Sequence, residues 1–143
     1  MLPIDALNAV RYGNCPATVS SIGFSPSLRL LVLAPHPDDF DAIAVTLRYF
    51  YLHGNEIHVA VLSGGSKGVQ DSGANPLTWE RKARLREQEQ SDSCSYFGLP
   101  TARLSFLRLP EARDGELDQD TGNQTRVKQQ ILETSPDVLL LPY

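Results

Sequence analysis

Apolar residues in this chain gather into short unbroken runs, separated by longer stretches with a helical period. Leu30-Leu31-Val32-Leu33-Ala34 is continuous and stops at Pro35, the pattern of a parallel strand buried on both faces. Runs over Ile57 to Leu62, Leu104 to Leu109 and Asp137 to Leu141 predict three more strands. Between them, Ala42 to about His53 is apolar nearly all round and stops before Gly54, as a helix packed on a sheet would; Asp39 or Asp41 can cap it. Leu77 to Phe97 predicts a long helix closed by Gly98 and Pro100. Val127 and Ile131, at i and i+4, mark Thr121 to Thr134 as another. Strands alternating with helices specify an α/β fold, a Rossmann-like parallel sheet with helices on both faces in three layers. Ligands bind such sheets beyond the carboxyl ends of the strands. The loops of interest are therefore 34–41, 63–76, 109–120 and whatever follows Tyr143.

Residues 1–28, with Pro3, Gly13, Pro16, Gly23 and Pro26 and weak periodicity, read as an irregular N-terminal extension. Residues 29–143 read as one domain, since 143 residues suffice for one real core but not for two. A hydrophobic content of 41% with 21% charged residues is ordinary for a globular protein and argues against wholesale disorder. The net charge of −4 argues against a nucleic-acid partner, which wants a basic stripe. No apolar run approaches a membrane span, and the N-terminus lacks the basic start and apolar stretch of a secretory signal. Cys15 and Cys94 do not make a disulfide framework. A soluble, cytoplasmic protein is expected.

The candidate chemistry lies in the first loop, Ala34-Pro35-His36-Pro37-Asp38-Asp39. An imidazole and two carboxylates fall within four residues, beyond a buried strand and before a helix. Imidazole nitrogen and carboxylate oxygen are both good zinc ligands, and a catalytic site wants three protein ligands and an open position. His36 and Asp39, three apart across a tight turn, can point at one centre, which leaves Asp38 to act as general base on the attacking water. The plainer reading is a loop histidine followed by aspartates that merely cap a helix.

His36-Pro37-Asp38-Asp39 after an apolar strand resembles the signature of the zinc-dependent de-N-acetylases related to PIG-L and LmbE. The resemblance runs from about Arg29 to the end of the chain. It implies that His36 and Asp39 bind Zn2+ (or another divalent metal) and that Asp38 is the catalytic base. It further implies that the substrate is a small-molecule N-acetylated sugar or glycoconjugate. The commonest form of the signature continues with an acid where this chain has Phe40, a position that is not a ligand.

A second match lies in the long helix. Its core-facing stripe is expected to run through Trp79, Ala83, Arg86, Gln90, Cys94 and Phe97, so that Arg86 interrupts an apolar face and Glu89 can pair with it. The family has Arg-x-x-Glu at this distance before a Phe-Gly such as Phe97-Gly98, and its arginine contacts substrate. Arg86 is thus a substrate-binding candidate, with a structural ion pair as the alternative. Asp114, with Glu111, falls where the family has an acidic substrate-side loop; otherwise it is solvated loop.

His53 is expected to lie roughly 20 Å from the motif along its helix, and His58 roughly 13 Å below it along a strand. Neither can be the third ligand. In the family that ligand comes from a His-containing loop after the strand equivalent to Asp137 to Leu141. A C-terminal part of the domain is accordingly expected to be missing, and the edge of the last strand to meet further chain or a second copy as a homo-oligomer. Two other readings stand beside this one. In the first, the motif survives on a non-catalytic scaffold with an incomplete metal site. In the second, Val61-Leu62-Ser63-Gly64-Gly65 is the pyrophosphate loop of a nucleotide enzyme, though Lys67 and Gly68 do not match that loop.

Overall fold

The computed structural model describes residues 18–71, 77–112, 116–118 and 120–141. Its frame is a four-stranded sheet of β1 (Arg29–Ala34), β2 (Glu56–Val61), β3 (Leu104–Phe106) and β4 (Val138–Leu140). The spatial order is β3-β2-β1-β4 and every pairing is parallel. Leu30 stands opposite both Ile57 and Val138, and Val32 opposite Val59 and Leu140. The chain builds outward from β1 through β2 to β3, then crosses back to place β4 on the other side of β1. The switch point therefore falls between β1 and β4, where α/β sheets open a crevice.

Parallel strands need crossover helices, and these cover both faces. Helices α1 (Asp39–Ala42), α2 (Ala44–Leu52) and α3 (Trp79–Phe97) belong to one face, and α4 (Thr121–Thr134) to the other. Successive strand residues alternate between the faces. Leu30, Val32, Ala34, Ile57, Val59 and Val61 meet Phe40, Leu47, Phe50, Cys94 and Leu99. Leu31, Leu33, Ala60 and Leu62 meet Leu109, with Val127 and Ile131 of α4 packed against them. Each fully buried aliphatic side chain contributes about 1.5–3 kcal/mol, so β1, with both faces covered, is the best-anchored segment of the chain. The Rossmann-like parallel sheet expected from the sequence is the one observed.

Gly98 ends the long helix as expected, whereas neither Asp39 nor Asp41 is the N-cap residue of α1 or α2, where Asp38 and Ile43 stand without a side-chain cap bond. The Thr78 hydroxyl accepts the Arg81 N–H (3.3 Å) at the start of α3, and Gly98 closes it at φ 95°. The Asp120 carboxylate accepts the Asn123 N–H (2.7 Å) at the start of α4, and Ser135 closes it at φ 45°. Three further details differ. The helix expected from Ala42 begins at Asp39 and breaks at Ile43, whose N–H bonds the Phe40 carbonyl three residues back and tightens the turn. The third strand stops at Phe106 rather than Leu109, because Arg108 takes a left-handed φ of 49°. Trp79, placed on the core stripe of α3, is 57% exposed at the first position of that helix, whereas Gln90 and Cys94 are buried.

Of the N-terminal extension, residues 18–28 are irregular apart from one 3-10 turn, Val19–Ser21. Val19, Phe24 and Leu28 pack on the core, and the Phe24 ring meets Phe50 edge-on at 5.0 Å. Cys15 lies outside the described residues. Among them, no helix is long and apolar enough to cross a membrane.

Candidate functional site

The loop leaving β1 turns sharply through Pro37, and Asp38 takes φ 106°, ψ −23°, a left-handed conformation unusual for a side-chain-bearing residue. Such geometry costs about 1–3 kcal/mol and persists only where surroundings enforce it. Here α3 enforces it. Arg86 Nη2 donates to the Pro37 carbonyl and pairs with Asp38 Oδ2 at 2.7 Å, while Nη1 donates to the Gly65 carbonyl at 2.7 Å. One helical turn further on, Gln90 Oε1 accepts the Asp38 N–H at 2.9 Å. The side chain of Arg86 is 12% exposed, that of Asp38 70%. A nearly buried cation thus holds an open carboxylate at the mouth of a cleft.

The Arg86–Glu89 pair expected from helical spacing is not formed. The arginine reaches inward to two loops and to Asp38, and Glu89 is exposed to solvent. Three charge-assisted bonds on partly desolvated acceptors outweigh a surface pair worth a few tenths of a kcal/mol.

The second loop, after β2, explains its glycines. Gly65 sits at φ 56°, and a Cβ there would lie 2.5 Å from Arg86 Nη1 and 3.2 Å from His36 Cβ. Only glycine lets the guanidinium close on this backbone. The Gly65 N–H donates to Glu111 Oε1 at 2.7 Å, and an isolated antiparallel bridge between Glu111 and Leu117 folds that third loop back toward the site. The amide that an anion would need in a pyrophosphate loop is therefore already bonded to a carboxylate. Asp114 lies outside the described residues.

His36, Asp38, Gly65, Lys67, Gly68, Arg86, Glu111 and Glu116 line one cleft of about 300 Å³. Asp39 stands beside it. Its Oδ2 accepts the His36 N–H at 2.8 Å and lies 4.0 Å from His36 Nδ1, with both side chains about one-third exposed. Zinc with one nitrogen and one oxygen ligand in a tetrahedral shell would set those donors roughly 3.4 Å apart. His36 and Asp39 therefore fit two corners of such a site after a small closing movement. Among the described residues no group of three or more His, Cys, Asp or Glu side chains gathers around a common point.

His53 and His58 keep to local roles. His53 Nδ1 lies 2.7 Å from the Tyr49 carbonyl at the end of α2, and His58 Nε2 lies 2.7 Å from Glu56 Oε1 within β2. Gln90 is the site residue that sequence reasoning did not single out. Its place on the inward stripe of α3 was legible, but its partner was not.

A solved structure described as a deacetylase–teicoplanin complex from the biosynthesis pathway of teicoplanin is similar in fold, with a TM-score of 0.57 at 14% sequence identity. The match covers 79% of this chain and 57% of that one, so the present chain spans little more than half the length of that relative. Comparison with curated protein sequences returns no significant match. The family model described as PIG-L, GlcNAc-PI de-N-acetylase, matches residues 31–143, from the third residue of β1 through all three loops that build the cleft. With that match across most of its length, and His36, Asp38 and Asp39 in the turn beyond β1, the chain belongs to the PIG-L de-N-acetylase family.

Proposed function

We propose that this protein is a zinc-dependent N-deacetylase that hydrolyses the acetamide of an amino-sugar or glycoconjugate. The observation that carries the reading is the division of labour within four residues. His36 and Asp39 approach each other, while Asp38 pairs with Arg86 in the wall of the cleft that His36 also lines. When bound at His36 and Asp39, the metal supplies a Lewis acid for the amide carbonyl. β4 ends beside the strand that leads into the His36 turn, since Leu140 pairs with Val32. That end of the sheet is where a third ligand is expected.

Asp38 is the proton acceptor. Arg86 engages its Oδ2, leaving Oδ1 to take a proton from the attacking water and to return it to the departing amine. Arg86 fixes the direction of the carboxylate by donating to it, and a guanidinium has no acceptor atom that would compete for the proton. Among the described residues, three of its five N–H groups are used on Gly65, Pro37 and Asp38, and the others are available to a substrate hydroxyl or phosphate at the same rim. The polar, acid-lined cleft suits a hydroxyl-rich substrate.

The test is Asp38→Asn, measured by bound zinc and by acetate release from an N-acetylglucosamine-type substrate. Zinc should be retained while the rate falls about 10²-fold or more. Loss of zinc with a retained rate would make Asp38 the ligand and reverse the roles of the two aspartates. A protein that binds no zinc when all its histidines and aspartates are intact would be the non-catalytic scaffold.

A further inference from the structure

We propose that Gln90 is a positioning residue for Asp38, locking the Pro37–Asp38 peptide so that the Asp38 carboxylate stays at the cleft mouth; this rests on the reading of Asp38 as proton acceptor. The Pro37 carbonyl and the Asp38 N–H belong to one peptide unit. The first is held by Arg86 Nη2 and the second by Gln90 Oε1 at 2.9 Å, so α3 grips that plane at both ends. The orientation of this plane sets the φ of Asp38, and the observed 106° is the unfavourable choice for aspartate. Released from either grip, the peptide can rotate toward ordinary geometry and carry the carboxylate with it.

The chemistry of position 90 fits the task. Gln90 is 2% exposed, in the middle of a helix that otherwise turns many charged groups to solvent. A buried N–H needs an acceptor, and a glutamine carbonyl supplies one without the desolvation that a carboxylate suffers there. The amide cannot be reversed, since its NH2 would then face the Asp38 N–H. Its Nε2 instead reaches the Cys94 sulfur at 3.5 Å, a weak contact that leaves Asp38 as the principal partner. Arg86 and Gln90 are four residues apart and share one face of α3, so a single rigid element sets both the charge and the backbone of Asp38.

The experiment compares Gln90→Met, which keeps the length and loses the acceptor, with Gln90→Glu, which keeps an acceptor oxygen in either protonation state. Two readouts are taken. In metal-free protein, the Asp38 amide should exchange about tenfold faster or more in Gln90→Met and stay protected in Gln90→Glu. In active protein, Gln90→Met should lower kcat about tenfold with KM unchanged, and Gln90→Glu should recover most of the loss. The kcat loss should largely vanish in an Asp38→Asn background, because both changes act through one carboxylate. Additive losses, or an Asp38 amide equally protected in Gln90→Met, would overturn the proposal. Should Gln90→Met fail to fold, a folded Gln90→Glu with an unprotected Asp38 amide and a lost rate overturns it equally. An Asp38→Asn variant that keeps its rate removes the reading beneath it; a rate lost in Asp38→Asn with additive losses refutes the role of Gln90 alone.

Discussion

Arg86→Ala separates a residue that builds the site from one that only touches substrate. The guanidinium satisfies the Gly65 and Pro37 carbonyls and the Asp38 carboxylate, and its side chain is 12% exposed. Leaving two partly buried carbonyls without donors costs about 1–3 kcal/mol each. Water entering the vacated space returns part of this, and relaxation of the left-handed Asp38 returns about another 1 kcal/mol. The net loss expected is about 2–3 kcal/mol, which for a domain of this size lowers Tm by about 6–10 °C. Arg86→Lys keeps the charge but cannot fork across three acceptors, and should recover less than half of that shift. Thermal unfolding followed by circular dichroism measures the shift, and acetate release measures kcat, expected to fall about 10²-fold as Asp38 loses its partner. A Tm within about 2 °C of the parent for Arg86→Ala would refute the clamp and return Arg86 to a substrate contact alone.

The same clamp predicts that Gly65→Ala is destabilising, because its Cβ would meet Arg86 Nη1 at 2.5 Å at a φ of 56°; a Tm drop of about 3 °C or more is expected. Glu56 is one of the carboxyls that make stability sensitive to acid. The hydrogen bond from His58 holds its carboxyl below the usual range, with Arg103 and Arg29 adding to the effect. Its contribution is therefore present above the ordinary carboxylate pKa and lost as pH falls through the lower folded value. Glu56→Gln should be less stable than the parent near neutrality and indistinguishable from it in acid, as paired urea titrations would reveal. Burial pushes the Cys94 thiol up to about 11, so mass spectrometry should find it unmodified by a thiol reagent at pH 8 until the protein is denatured.

How much the sequence discloses depends on whether a residue answers to its neighbours in the chain or to distant ones. β1 is legible because both its faces are covered, so an unbroken apolar run is the only pattern that suits it. The end of α3 is legible because Gly98 acts within a few residues of itself, whereas Thr78 and Asp120 cap their helices without having been singled out. The pairing of Arg86 is not, since helical spacing offered Glu89 and the fold offered Asp38, 48 residues earlier in the chain. Gln90 is illegible for a related reason. A glutamine in a charged helix is unremarked until the backbone N–H it meets is known. The break at Ile43 escapes notice because Ala42 to His53 contains no glycine or proline to announce it.

The place of β1 in the sheet governs how the site comes apart. β1 is hydrogen-bonded on both sides, while β3 and β4 are three-residue edge strands. Edges open at low free energy, and an interior strand exchanges its amides only when neighbouring ladders part together. The turn bearing His36, Asp38 and Asp39 hangs from the strand that should melt last, whereas Glu111 hangs beyond the edge strand β3. Partial opening of the molecule would therefore release the acidic wall of the cleft first and leave the His36 turn in place. The cleft wall should part and reclose many times within the lifetime of a single folded turn beyond β1.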